Sequence, residues 1–189
     1  MGFLGLKAIG EENIPMSGSL IFASNHQSYL DPPFVSVMIK REIHFFAKKE
    51  LFDIPILGWI ITRLNTIPVR RGVYDPKSLN RVYDSLEKGG AVLMFPEGTR
   101  GNGRVFLDPK PGIGLIARKA EVPILPLFAR RTNKVREALF NRKGITIEFG
   151  QPITVAKIKE YPDNKDGYYK LARMVMNRIG EIRDKGNKE

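Results

Sequence analysis

"SLIFASNHQSYLDPPFVSVMIK", residues 19–40, changes its periodicity twice. Its first six residues, "SLIFAS" (19–24), form a short apolar run bounded by Gly18 and Asn25, as a buried strand does. "NHQSYLD" (25–31) has no apolar period and reads as a loop. "PPFVSVMIK" (32–40) reads as a helix, with Pro32 suited to the first helical position and Asp31 to the N-cap. Strand, polar loop and helix make half of a strand–helix–strand unit.

The rest of the chain repeats that alternation. "IHFFA" (43–47), "NTIPV" (65–69), "AVLMF" (91–95), "VPILPLF" (122–128) and "GITIEFG" (144–150) read as further buried strands. "PKSLNRVYDSLEKGG" (76–90) and "GIGLIARKA" (112–120) read as helices, the first opened by Pro76 and stopped by Gly89–Gly90. "DGYYKLARMVMNRIGEIRDK" (166–185) sets Tyr168, Leu171, Val175, Ile179 and Ile182 on one stripe, a long amphipathic helix laid over the core. The pattern predicts an α/β protein: one domain over 1–189, with a mixed, largely parallel sheet flanked by helices and a helical extension over 151–189 packed on it. No internal repeat or low-complexity tract interrupts it.

Composition excludes several chemistries. The 189 residues are 42% hydrophobic and 27% charged, the balance of a folded globular chain. The absence of cysteine removes disulfides, thiolate catalysis and cysteine zinc sites. The two histidines, His26 and His44, lie too far apart for a typical zinc centre, so no metal is expected. Lys plus Arg number 31 against 20 acids, a net charge of +11 that favours a polyanionic partner. The densest basic run is "RRTNKVREALFNRKG" (130–144), readable as a solvated basic face. No apolar stretch approaches the roughly 18 residues of a membrane span, and the N-terminus lacks a basic n-region with a cleavage site. These features predict a protein of the cytoplasm, free or resting on a membrane surface.

In an open α/β sheet, ligands bind beyond the carboxyl ends of the strands. Two polar motifs fall there. His26 is a candidate general base with Asp31 as its partner: a carboxylate on one ring nitrogen fixes the tautomer and raises the basicity of the other. Asp31 as helix cap and Asp31 as partner are compatible readings. "FPEGTR" (95–100) sets a carboxylate, a glycine free to take positive φ, a hydroxyl and an arginine suited to phosphate beyond another strand. Arg70 and Arg71 beside Gly72 form a second candidate grip, and Lys110 before Gly112 is a candidate anion contact at a helix start. The G-x-G-x-x-A string over 112–117 is no dinucleotide fingerprint, since no buried strand leads into it.

"NHQSYLD", "NTIPVRRG", "FPEGTR" and "VPILPL", in that order, resemble the four-block signature of the glycerolipid acyltransferase family, best known for its 1-acyl-glycerol-3-phosphate acyltransferases. The resemblance covers about residues 8–150. It implies that His26 takes the proton of the acceptor's free hydroxyl while Asp31 orients the imidazole and supports its charge. It also implies that Arg71, Glu97, Gly98, Thr99, Arg100 and, more weakly, Lys110 bind the acceptor's glycerol phosphate, and that Pro123 helps to shape a substrate pocket. The donor would be acyl-CoA or acyl-carrier protein, with no cofactor, and the product phosphatidic acid. Alternative acceptors are glycerol 3-phosphate, another lysophospholipid or a lyso-ornithine lipid. The chain departs from many members at Arg70, where they carry an acid, and by its short N-terminal segment.

A lysophospholipid acceptor lives in the bilayer, so the enzyme reading requires a docking surface. "ELFDIPILGWIITRL" (50–64) offers Phe52, Ile56, Leu57, Trp59 and Ile60, bordered by Lys48, Lys49 and Arg63. An apolar surface with a basic rim suits the cytoplasmic side of an anionic cell membrane, peripherally bound. The competing class is a non-catalytic basic module that binds anionic lipid. No interleaved aromatic–basic platform suggests nucleic acid.

Overall fold

All five residues of the first strand of that opening stretch are buried, which requires cover on both faces. The computed structural model describes residues 5–63, 66–69, 75–101, 105–135, 137 and 144–186, with their side chains except those of Lys48, Ile56, Leu57 and Ile60. The elements are β1 (Leu6–Ile9), β2 (Leu20–Ser24), α1 (Asp31–Met38), β3 (Ile43–Lys48), α2 (Pro55–Arg63), β4 (Thr66–Val69), α3 (Pro76–Glu87), β5 (Ala91–Met94), α4 (Gly112–Ala120), β6 (Ile124–Arg130), β7 (Ile145–Phe149), α5 (Val155–Lys159) and α6 (Lys165–Lys185).

Among the described residues the strands form a seven-stranded sheet in the order β1-β7-β6-β2-β5-β3-β4. β6 and β7 run antiparallel, and the other neighbours run parallel. The expected mixed, largely parallel α/β sheet is the one observed. Alternate residues of β2 serve different cores: Ile21 and Ala23 join one cluster with α3, α4 and α6, while Leu20 and Phe22 join a second with Val35 of α1. Three of the residues on the predicted stripe of α6, Leu171, Val175 and Ile179, are wholly buried, each stabilising by about 1.5–3 kcal/mol. Gly89, with φ 78, ends α3 as expected.

β1 was not expected. Its burial alternates between half-buried and exposed, so its four residues carry no apolar run to read. It forms only by pairing with β7, Leu6 against Ile145.

At the amino-terminal edge of the sheet, Arg41 donates to the carbonyls of Pro15 (2.7 Å), Gly18 (2.6 Å) and Gly89 (3.2 Å), tying three loops together. At the opposite edge, β6, β2 and β5 lie side by side and parallel, with their carboxyl ends together. From there β2 leads into α1 on one face and β5 leads towards α4 on the other. The chain divides to the two faces of the sheet at that point, where ligands bind in open α/β sheets.

Candidate active site

Where the backbone of β2 leaves the sheet, the side chain of Asn25 continues its ladder. Its Oδ1 accepts from Ala129 N (2.7 Å) and its Nδ2 donates to Ala129 O (3.1 Å) on β6. Gln27 Nε2 donates to the same carbonyl at 2.6 Å. His26, between them, is held at the carboxyl end of the central strand with only 6% of its surface exposed.

The loop from His26 to Asp31 closes around the Asp31 carboxylate, which has no exposed surface. His26 Nδ1 lies 2.8 Å from Asp31 Oδ2, which also accepts the N–H of Gln27 (2.7 Å) and of Ser28 (2.8 Å). Asp31 Oδ1 accepts from the hydroxyl of Thr132, which is itself fully buried. A buried carboxylate requires such a set of donors. An ionised carboxylate only accepts, so Nδ1 carries the hydrogen, and in the neutral imidazole the lone pair then lies on Nε2.

Asp31 is not the helix cap expected of it. The N-cap of α1 is Leu30, without a side-chain bond, and Asp31 is the first helical residue. The two prolines explain the shift. With Asp31 as cap, Pro33 would occupy a position whose N–H it lacks, and the N–H of Phe34 already donates to Leu30 O at 3.0 Å. The carboxylate therefore folds back onto the loop that precedes it. One oxygen, Oδ2, serves both the imidazole and the backbone.

The segment after β5 braces His26 from the other side. The ring of Phe95 stacks on the imidazole, centroids 4.1 Å apart. Glu97 Oε1 accepts the His26 N–H at 2.9 Å, and Gly101 N donates back to His26 O at 2.8 Å. Glu97 Oε2 accepts the Leu107 N–H at 2.9 Å, and the residue is 3% exposed. Both oxygens of Glu97, expected at the acceptor's phosphate, thus lie on main-chain N–H groups. Gly98 takes the expected positive φ (69), but its N–H closes a turn on Phe95 O at 3.0 Å.

The rest of the motif forms an open rim. Thr99, Arg100 and Lys110 are exposed. The Arg100 guanidinium carbon lies 3.4 Å over the ring of Tyr29, and Lys110 N donates to Pro96 O at 2.8 Å. Arg71 lies outside the described residues. Among those described, no group of three or more His, Cys, Asp or Glu is placed to hold a metal.

Of the apolar helix, Trp59 is 60% exposed with the Arg63 guanidinium 4.4 Å over its ring, Ile54 is 47% exposed and Phe52 is half-buried. The side chains of Ile56, Leu57 and Ile60 lie outside the described ones. No described helix is long and apolar enough to cross a membrane. Arg130, read as part of a solvated basic run, instead pairs with the buried Glu148 at 2.9 Å.

A histidine bound to a buried carboxylate, at the carboxyl edge of this sheet and under a basic rim, invites comparison with known proteins. The acyltransferase family pattern matches residues 5–130. The chain belongs to the acyltransferase family. It is 34% identical over 157 residues to a chloroplastic 1-acyl-sn-glycerol-3-phosphate acyltransferase of Brassica napus, covering 78% of this chain and 45% of that protein. It is 28% identical over 182 residues to the 1-acyl-sn-glycerol-3-phosphate acyltransferase of Bacillus subtilis, covering 96% and 89%. The chain thus spans about half the length of its plant relatives and nearly all of the bacterial one. Among solved acyltransferase structures, the 1-acyl-sn-glycerophosphate (LPA) acyltransferase PlsC of Thermotoga maritima superposes with a TM-score of 0.71 at 26% identity, covering 95% of this chain and 71% of that one.

Thr132 was missed in the sequence. It lies two residues beyond β6, at the same sheet edge as the two motifs, and that position was its one available signal.

Proposed function

We propose that this chain transfers a fatty acyl group from a thioester donor, acyl-CoA or acyl-carrier protein, to the free hydroxyl of a 1-acyl-glycerol 3-phosphate, giving phosphatidic acid. The observation that carries this reading is the hydrogen bond from His26 Nδ1 to the buried Asp31, which leaves Nε2 as the base. Nε2 takes the proton of the acceptor hydroxyl as its oxygen attacks the thioester carbonyl. The tetrahedral intermediate collapses by breaking the C–S bond, and the departing sulfur takes the proton back from the imidazolium. Asp31 stabilises that imidazolium while it exists. Acceptor and donor react directly, so no acyl-enzyme forms.

Arg100 and Lys110, with Thr99, bind the acceptor's phosphate at the rim, and Arg71 is assigned to the same phosphate. Glu97 and Gly98 act there through the shape of the loop. Exposed Trp59 and Ile54 with Arg63 suit an anionic bilayer surface from which a lysolipid could be drawn. Relatives named for acylating 1-acyl-sn-glycerol 3-phosphate support this acceptor over the others.

Purified protein given lysophosphatidic acid and acyl-CoA, then acyl-carrier protein, should release thiol and form phosphatidic acid. His26→Ala should lose about 10²–10⁴-fold in rate while still folding. Equal rates for wild type and His26→Ala would show that the reading is wrong. Turnover only with glycerol 3-phosphate or an ornithine lipid would reassign the acceptor.

A further inference from the structure

The hydroxyl of Thr132 touches the catalytic carboxylate from the turn after β6, which none of the acyl-transfer chemistry uses. A carboxylate presents two equivalent oxygens and turns about its last bond, so a partner on one oxygen decides how the other meets the imidazole. Asp31 Oδ2 carries three donors, while Oδ1 takes its hydrogen bond from Thr132. We propose that Thr132 is a positioning residue of the acyl-transfer site: it locks the rotation of the Asp31 carboxylate and so aims the His26 imidazole. The inference rests on the reading of His26 and Asp31 as the base and its partner.

The way the chain presents Thr132 supports this. Arg131, immediately before it, adopts a left-handed φ of 63, uncommon for a residue with a side chain and tolerated where the surrounding structure requires it. Lys134 N closes the turn on Arg131 O at 3.0 Å. The turn begins two residues after Ala129, whose N–H and C=O are gripped by Asn25 and whose C=O also accepts from Gln27. The loop carrying His26 and the turn carrying Thr132 are therefore registered against the same peptide groups. Threonine suits the position because its hydroxyl donates and its branched Cβ restricts its rotamers.

Thr132→Ala and Thr132→Ser differ by a single oxygen, and that pair tests the proposal. Thr132→Ala should lose about 10-fold or more in kcat, with both KM values within about 2-fold of wild type, as for an interaction that acts in the transition state. Thr132→Ser should stay within about 3-fold of wild type. The His26 Nδ1 proton, followed by NMR in a His44→Gln background, should give the same downfield resonance in wild type and Thr132→Ser. It should move or broaden in Thr132→Ala. Should Thr132→Ala not fold, Thr132→Val, of similar shape and without the hydroxyl, takes its place. Wild-type kcat and an unmoved resonance in the variant lacking the hydroxyl overturn the proposal. So does a Thr132→Ser enzyme as slow as Thr132→Ala. His26→Ala, run alongside, separates the two levels: if it is inactive while Thr132→Ala is fully active, only the positioning role falls. If His26→Ala is itself fully active, the catalytic reading falls with it.

Discussion

The floor of the site and its rim are built differently. On the floor, His26, Asp31, Glu97 and Thr132 are buried and joined by hydrogen bonds drawn from the ends of three adjacent strands. On the rim, Thr99, Arg100 and Lys110 are exposed, and the Arg100 guanidinium rests on the ring of Tyr29. Proton transfer needs a base held to a fraction of an ångström, and burial with fully paired polar groups achieves that. The lipid phosphate proposed as the rim's ligand needs charge and reach, which exposed cations on long stems provide. Changes to the floor should therefore act on kcat and stability, and changes to the rim on KM.

The largest effect is expected at Asp31. Asp31→Asn turns an N–H₂ towards donors that need an acceptor, so kcat should fall roughly 10²–10⁴-fold and the urea midpoint should drop, read by single-turnover rates and equilibrium unfolding. Glu97 gives the sharpest test of the contrast, because its motif belongs to the rim while its carboxylate belongs to the floor. Glu97→Ala strands the N–H groups of His26 and Leu107. It should cost about 1–3 kcal/mol of stability per group and lower kcat, with the acceptor KM little changed. A Glu97→Ala enzyme of normal stability and raised acceptor KM would return Glu97 to the rim. Arg100→Ala should raise the acceptor KM about 10-fold with kcat and melting temperature nearly unchanged. Smallest, Tyr29→Leu removes an exposed cation–π contact worth about 0.5–1 kcal/mol, a change of about 2- to 5-fold in acceptor KM. If Tyr29→Leu instead lowers kcat as much as Glu97→Ala does, floor and rim are not separable.

Much of the site was legible because it is local in sequence. His26 and Asp31 share one loop, and the prolines after it mark the helix that turns the chain back. The strands were legible wherever an apolar run was unbroken, as in β2 and β6, and β1 was not because its residues alternate at a sheet edge. Asp31 as a helix cap was a reasonable local reading that failed for a local reason, the N–H that Pro33 lacks. The role of Glu97 was hidden for a different reason: its partner, the His26 N–H, is 71 residues away and is a backbone group that any residue could supply.

By itself the sequence determined that this is an α/β chain, strongly basic and without thiol chemistry, with one histidine and one aspartate five positions apart beyond a buried strand. Periodicity, composition and short motifs are properties of neighbouring residues, and they survive being read in one dimension. Only the tertiary structure decided which strand stands beside which, and hence that Glu97 would hold the His26 backbone and that Thr132, 101 residues from Asp31, would hold the carboxylate. Those contacts arise because β5, β2 and β6 pair side by side in an order different from their order along the chain. Hydrogen-bonded pairing between distant segments is the physical fact that a linear string does not carry.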